Sequence, residues 1–216
     1  MTIIKILIIF KLQVSFKLTY SANMKKGNYL TTILQSSKTV FSIQDVAMLW
    51  KDQNTDAARV RLSYYVTNGD LYRIRRGIYA KNSKYDRLEL ATRVFTPSYV
   101  SFETVLAKEG LIFQYQTNIT VTSYLTREII IDEQTYTYKK IKDTVLANSE
   151  GVENQNETSV ATKERAFLDT LYTNTNYHFD NLRSLDWDIV HRLLPIYENK
   201  RMTKVVNQLF GQSKTS

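Results

Sequence analysis

After residue 28 apolar side chains return at helical intervals, and "NYLTTILQSS" sets Leu30, Ile33 and Leu34 along one side of a first helix. "TVFS" then offers a β-branched and aromatic pair for a very short strand. Ser42 opens "SIQDVAMLW": a serine hydroxyl can accept from the amide three residues on, and Asp45 at that position suits the positive helix end. The pattern predicts a second helix from about Ile43 to Lys51 that buries Val46, Leu49 and Trp50. A third follows the polar break "KDQNTD", capped by Asn54 or Thr55, and continues through "AARVRLSYYVTN". At a helical rotation of about 100° per residue, Ala58, Leu62, Tyr65 and Val66 share one apolar stripe. Asp56, Arg59, Val60, Ser63 and Thr67 lie on the other side. Asn68-Gly69 is a turn signal that ends the helix.

"LYRIRRGIYA" comes next and reads as a strand, a turn at Arg76-Gly77 and a second short strand. Alternation turns Leu71, Arg73 and Arg75 one way and Tyr72 and Ile74 the other. Tyr72, Ile74 and Ile78 are therefore expected to pack on the helices while the arginines reach outward. Three helices and a basic hairpin in this order predict a winged helix-turn-helix over residues 24–82.

Residues 83–216 have a different character. "RLELATRVF" predicts a helix stopped by Pro97, "SYVS" a strand, and "FETVLAKEGLI" a helix ended by Gly110. Residues 113–146 are rich in Thr, Ile, Tyr and Val, and their alternation predicts three or four strands in a meander. "ANSEGVENQNETS" reads as a polar loop or strand connection. "ATKERAFLDTLYTN" is helical, with Ala166, Phe167, Leu171 and the preceding Val160 turned inward, and "DWDIVHRLLPIY" and "KRMTKVVNQLF" close the chain as two more helices. The expected fold class is α+β: a winged helix-turn-helix, then an α+β domain with a small mixed or antiparallel sheet and C-terminal helices.

The first 23 residues stand apart. Their apolar run, broken by Lys5 and Lys11, is too short to span a membrane. Three readings stay open: an extension upstream of a natural start at Met24, a poor signal peptide, or an added strand or helix.

Charge changes the picture more than composition does. The formal net charge is +8. Residues 1–23 hold three Lys and no acid, and residues 24–80 hold nine Lys or Arg against four Asp. Residues 81–150 balance nine against nine and residues 151–216 eight against eight, so the whole excess lies in the first 80 residues. A basic N-terminal third on a neutral remainder points to a polyanion-binding module joined to something else. The absence of cysteine excludes disulfides, thiolate metal sites and cysteine nucleophiles, and it fits a cytoplasmic location.

The third helix and the hairpin are the constellation with a clear physical use. A helix-turn-helix lays its second helix in the major groove, where Thr55, Arg59 and Ser63 would donate to bases or phosphates. Arg73, Arg75 and Arg76 on the wing, turning at Gly77, would straddle a phosphate backbone or enter the minor groove. The alternative is a docking module whose winged domain meets a protein. Catalytic readings fare worse. His178 and His191 stand without ligand-spaced acids, no glycine-rich phosphate loop or nucleophile elbow occurs, and Glu198-Asn199-Lys200 falls between helices rather than at strand ends. Neither enzymatic activity nor a cofactor is expected. Arg165 and Asp169 read most simply as an i,i+4 pair on a helix surface, worth about 0.3–0.5 kcal/mol.

"LYRIRRGIYA" after a three-helix module resembles the wing of the AbiEi family, antitoxin regulators of abortive-infection toxin–antitoxin loci. "PSYVSFETVLAKEGLI" and "TKERAFLDTLY" are similar to segments of the same family, although Thr162 and Lys163 stand where proline is usual. The resemblance covers most of residues 24–175. It implies a repressor of its own operon whose partners are double-stranded operator DNA and a nucleotidyltransferase-like toxin, antagonised without a stable complex, with no membrane involved. It also implies that Arg73, Arg75, Arg76 and Gly77 form the wing. Glu164, Arg165 and Asp169 would fall on the characteristic helix of the antitoxin domain. Their role is left open between function and scaffolding, and scaffolding, with Arg165 and Asp169 tying helix to sheet, is the expectation.

Overall fold

The computed structural model describes residues 29–52, 54–114, 116–155 and 157–214, so the readings for residues 1–23 lie outside the described residues. The architecture is α+β and falls into two compact units. Of the described residues, one takes in residues 29–37 together with Phe41–Ser83; the other takes in Lys38–Val40 together with those from Lys84 onward.

In the first unit residues 29–35 are helical (α1), and β1 (Val40–Ser42) leads directly into α2 (Ile43–Leu49). The start of α2 is set by a reciprocal cap. The Asp45 amide donates to the Ser42 hydroxyl oxygen (3.1 Å), while the Ser42 amide donates to the Asp45 carboxylate (2.9 Å). α3 (Thr55–Thr67) is capped by Asn54, whose side-chain oxygen accepts from the amides of Asp56 and Ala57. Gly69, at φ +80°, turns the chain out of α3, and β2 (Tyr72–Arg75) and β3 (Ile78–Ala80) follow as an antiparallel hairpin. The three strands form a sheet in the order β1-β3-β2.

The core of this unit joins Ile33, Val46, Trp50, Ala58, Leu62 and Tyr65 with Leu71 and Tyr79. The apolar stripe of α3 is therefore the one the periodicity assigns, with Val66 half-buried beside it. Three details differ from expectation. α2 ends at Leu49, with Trp50 as its C-cap. Leu34 is exposed. Leu71 is buried rather than outward, because its amide still bonds the Tyr65 carbonyl (3.3 Å): it belongs to the turn closing α3, ahead of the strand alternation.

The second unit carries a six-stranded mixed sheet in the order β6-β7-β5-β4-β9-β8. Its strands are β4 (Ser98–Val100), β5 (Ile119–Ser123), β6 (Arg127–Ile131), β7 (Gln134–Lys140), β8 (Val152–Gln155) and β9 (Thr158–Ala161). The helices are α4 (Arg87–Val94), α5 (Glu103–Lys108), α6 (Asp143–Leu146), α7 (Lys163–Thr173), α8 (Trp187–Leu193) and α9 (Lys200–Ser213). The expected meander is corrected here. β6 and β7 form a hairpin, but β7 then lies parallel to β5, so β5 and β6 are not neighbours. The polar stretch 147–159 is a second correction, since β8 and the first residues of β9 fall in it and pair as a hairpin. β8 sits at the sheet edge with Glu153, Asn154 and Gln155 exposed, so it carries no apolar alternation for a sequence reading to find.

Candidate nucleic-acid interface

The outward face of α3 and the hairpin after it carry the candidate residues. Thr55 is half-buried at the first turn, while Arg59 and Ser63 are exposed. Arg59 reaches back one turn to Asp56 (3.2 Å), and both side chains remain largely in water, so the pair is readily exchanged for another anion. The neighbouring Arg61 is different. It binds Asp52 (2.5 Å) and lies over the Tyr29 ring, 4.2 Å from its centroid, holding α3 against α1. The Trp50 indole N–H fixes the same ring region by donating to the Tyr29 carbonyl (2.8 Å).

Arg73, Arg75 and Arg76 are all exposed, the first two on β2 and the third in the turn. Among the described residues none of the three pairs with an acidic side chain. Tyr72 and Ile74 alternate with them as half-buried positions. The turn is tight, with Arg75 paired to Ile78 and Gly77 at φ +81°, a conformation that glycine adopts without steric cost. Gly77 also has its carbonyl engaged: the Ile43 amide donates to it at 3.2 Å. The tip of the hairpin is thereby anchored to the start of α2, and the guanidinium groups extend from a fixed backbone. Each offers five donors in a planar fork suited to bidentate phosphate contact.

The sequence-selected residues of the second unit behave otherwise. Arg165 and Asp169 are fully buried, so the reading of a surface pair is wrong. Asp169 accepts from the hydroxyls of Ser101 (2.7 Å), Tyr197 (2.7 Å) and Tyr99 (3.2 Å), with Arg165 Nε at 3.4 Å. Arg165 donates onward to the carbonyls of Glu150 (2.8 Å) and Val145 (2.7 Å) and to the Tyr99 hydroxyl. Burial raises the pKa of Asp169, with Arg165 and the three hydroxyls pulling the other way. Burial likewise pushes the Tyr99 and Tyr197 hydroxyls well above the ordinary tyrosine value, so both serve as donors. Glu164, also buried, accepts from the Asp186 amide (3.2 Å) at the cap of α8. The set ties α7 to β4, to α6 at Val145, to the loop at Glu150, and to the 3-10 turn at Leu194–Tyr197. A closed, fully buried network of this kind suits architecture; it leaves no open face for a ligand.

Sequence reasoning missed Tyr99, Ser101 and Tyr197, and no local signal marks them. It also left Val60 outside the candidate site, although the same periodicity that selects Arg59 puts Val60 outward, and it is 71% exposed. His191 bonds the Trp187 carbonyl within its own helix (2.6 Å), and His178 stands 3.7 Å from Asp180. Among the described residues there is no cluster of three or more His, Asp or Glu that could hold a metal ion, and no helix is long and apolar enough to cross a membrane.

No protein-family model matches the chain, and no curated protein matches it. Among solved structures the chain is similar to the crystal structure of the RV2827C protein from Mycobacterium tuberculosis, with a TM-score of 0.47 and 9% sequence identity, covering 88% of this chain and 77% of that one.

Proposed function

We propose that this chain is a cytoplasmic DNA-binding repressor and antitoxin of a toxin–antitoxin operon, a member of the AbiEi family in which the first unit is a winged helix-turn-helix. The observation that carries the reading is the set of exposed arginines, Arg59 on α3 and Arg73, Arg75 and Arg76 on the hairpin, in the part of the chain that holds all the excess charge. Two features support it further. The element order helix, strand, helix, helix, strand, strand, with β1 beside β3, suits a recognition helix followed by a wing. The anchoring of Gly77 to α2 gives the wing arginines a defined geometry.

In this reading α3 enters the major groove, with Arg59 and Ser63 facing bases and phosphates and Thr55 at the backbone. Arg73, Arg75 and Arg76 neutralise phosphates beside it. The second unit, whose helix bears Glu164, Arg165 and Asp169, acts against a nucleotidyltransferase-like toxin without forming a stable complex. Arg165 and Asp169 then maintain the shape of that unit rather than touch the toxin. No catalytic step and no cofactor enter the mechanism.

A second reading has its own observation: Met48, Val60 and Tyr64 are exposed apolar side chains of the first unit, as a protein-docking surface would present. A gel shift of the full chain on the DNA upstream of its own gene, against a scrambled duplex of equal length, separates the two. Preferential retardation of the upstream duplex is expected. Equal or absent retardation of both would contradict the repressor reading and favour docking.

A further inference from the structure

We infer that Val60 reads the 5-methyl group of a thymine, making it a specificity-determining residue of the DNA contact; the inference rests on the proposed DNA-binding reading. The buried stripe of α3 is formed by Ala58, Leu62 and Tyr65. At about 100° per residue, the direction opposite its centre falls within about 15° of Val60. This is the line of closest approach for any surface the helix lies against. A branched aliphatic side chain occupies it, 71% exposed, between Arg59 and Ser63. Among the described residues no side chain covers it, and Arg59 and Ser63 lie on one flank of it, about 100° and 60° round the helix, where their contacts would set its distance from whatever they meet.

In a major groove the base edges present mostly hydrogen-bond donors and acceptors, and one methyl group. Thymine carries a methyl group at C5, and it is the apolar feature against which an aliphatic side chain can pack without stranding a donor or acceptor. Arg59 and Ser63, one residue before and three after, are spaced to bond adjacent base edges or phosphates while Val60 covers the methyl. Tyr64 is also exposed, but its ring lies edge-on against Tyr65 (centroids 5.7 Å apart), about 40° further round the helix from Val60. A valine cannot bond a base, so it discriminates by burying or failing to bury one methyl group.

The test uses the full chain to select duplexes from a random-sequence pool. Each thymine of the tightest-binding duplex is then replaced in turn by 2′-deoxyuridine, which removes only the 5-methyl group. At one position in each recognition site the native chain should lose about fourfold in affinity, the worth of one buried methyl. Val60→Ala, at an exposed helical position where alanine is well tolerated, should bind the thymine and deoxyuridine forms of that duplex alike. Its helical content by circular dichroism verifies the fold. Tight binding with no sensitive thymine, or the same sensitivity retained in Val60→Ala, overturns the assignment of Val60 and leaves DNA binding standing. Failure to enrich any duplex overturns the DNA reading and the inference with it.

Discussion

Arg165 has each nitrogen of its guanidinium in a contact: Nε with Asp169 and the Tyr99 hydroxyl, Nη1 with the Glu150 carbonyl, Nη2 with the Val145 carbonyl and Tyr99. A buried ion pair of this kind adds little net stability over a hydrophobic pair, but removing one member leaves the other charge unpaired in a buried site. Arg165→Ala is therefore expected to destabilise the protein by about 3–5 kcal/mol, read as a lowered midpoint of urea unfolding. The pairing of Arg165 with Asp169 was legible from their i,i+4 spacing. Their burial was not, because the hydroxyls that solvate Asp169 belong to Ser101, Tyr99 and Tyr197, which lie 68, 70 and 28 residues away. A helix pattern reports which side chains share a face, and only the tertiary fold decides whether that face meets water. Gly151 has the same origin: a Cβ there would meet Leu193 Cδ1 at 2.9 Å and Arg165 Cβ at 3.0 Å, a crowding that the polar sequence around it does not disclose.

Elements whose boundaries are set by local chemistry were read well. Ser42 and Asp45 form the reciprocal cap that starts α2, and Asn54 caps α3, because each side chain bonds an amide two or three residues away. Ser42→Ala removes the hydroxyl acceptor and is expected to cost about 1 kcal/mol, measurable by urea unfolding. Elements set by long-range pairing were read less well. Alternation in β5, β6 and β7 identifies strands but carries no information on which neighbours which, and the parallel partnership of β5 with β7 depends on the whole sheet. β8 was missed outright: an edge strand with three exposed polar residues is held by backbone bonds to β9, which leave no pattern in its side chains. The hairpin of β2 and β3 falls between these cases. Its turn and its exposed arginines follow from local sequence, whereas the anchoring of Gly77 to Ile43 joins residues 34 positions apart, with the two amino acids' numbers alone giving no hint of it.

At the scale of the whole molecule, charge is the property that distinguishes the first unit from the second. Three of its charges, the guanidinium groups of Arg73, Arg75 and Arg76, stand in solvent without acidic partners among the described residues, the arrangement in which neutralising a phosphate costs no existing ion pair. Such binding releases condensed counterions, so the logarithm of the affinity falls linearly with the logarithm of salt concentration, by about 0.9 for each phosphate neutralised on duplex DNA. The most direct test of the account is this salt slope, measured by fluorescence anisotropy on the upstream duplex for the native chain and for Arg73→Ala/Arg75→Ala/Arg76→Ala. The account predicts weaker binding by the triple variant and a slope shallower by about 2 to 3, the contribution of three phosphate contacts. A triple variant that binds with unchanged affinity and unchanged slope would contradict it.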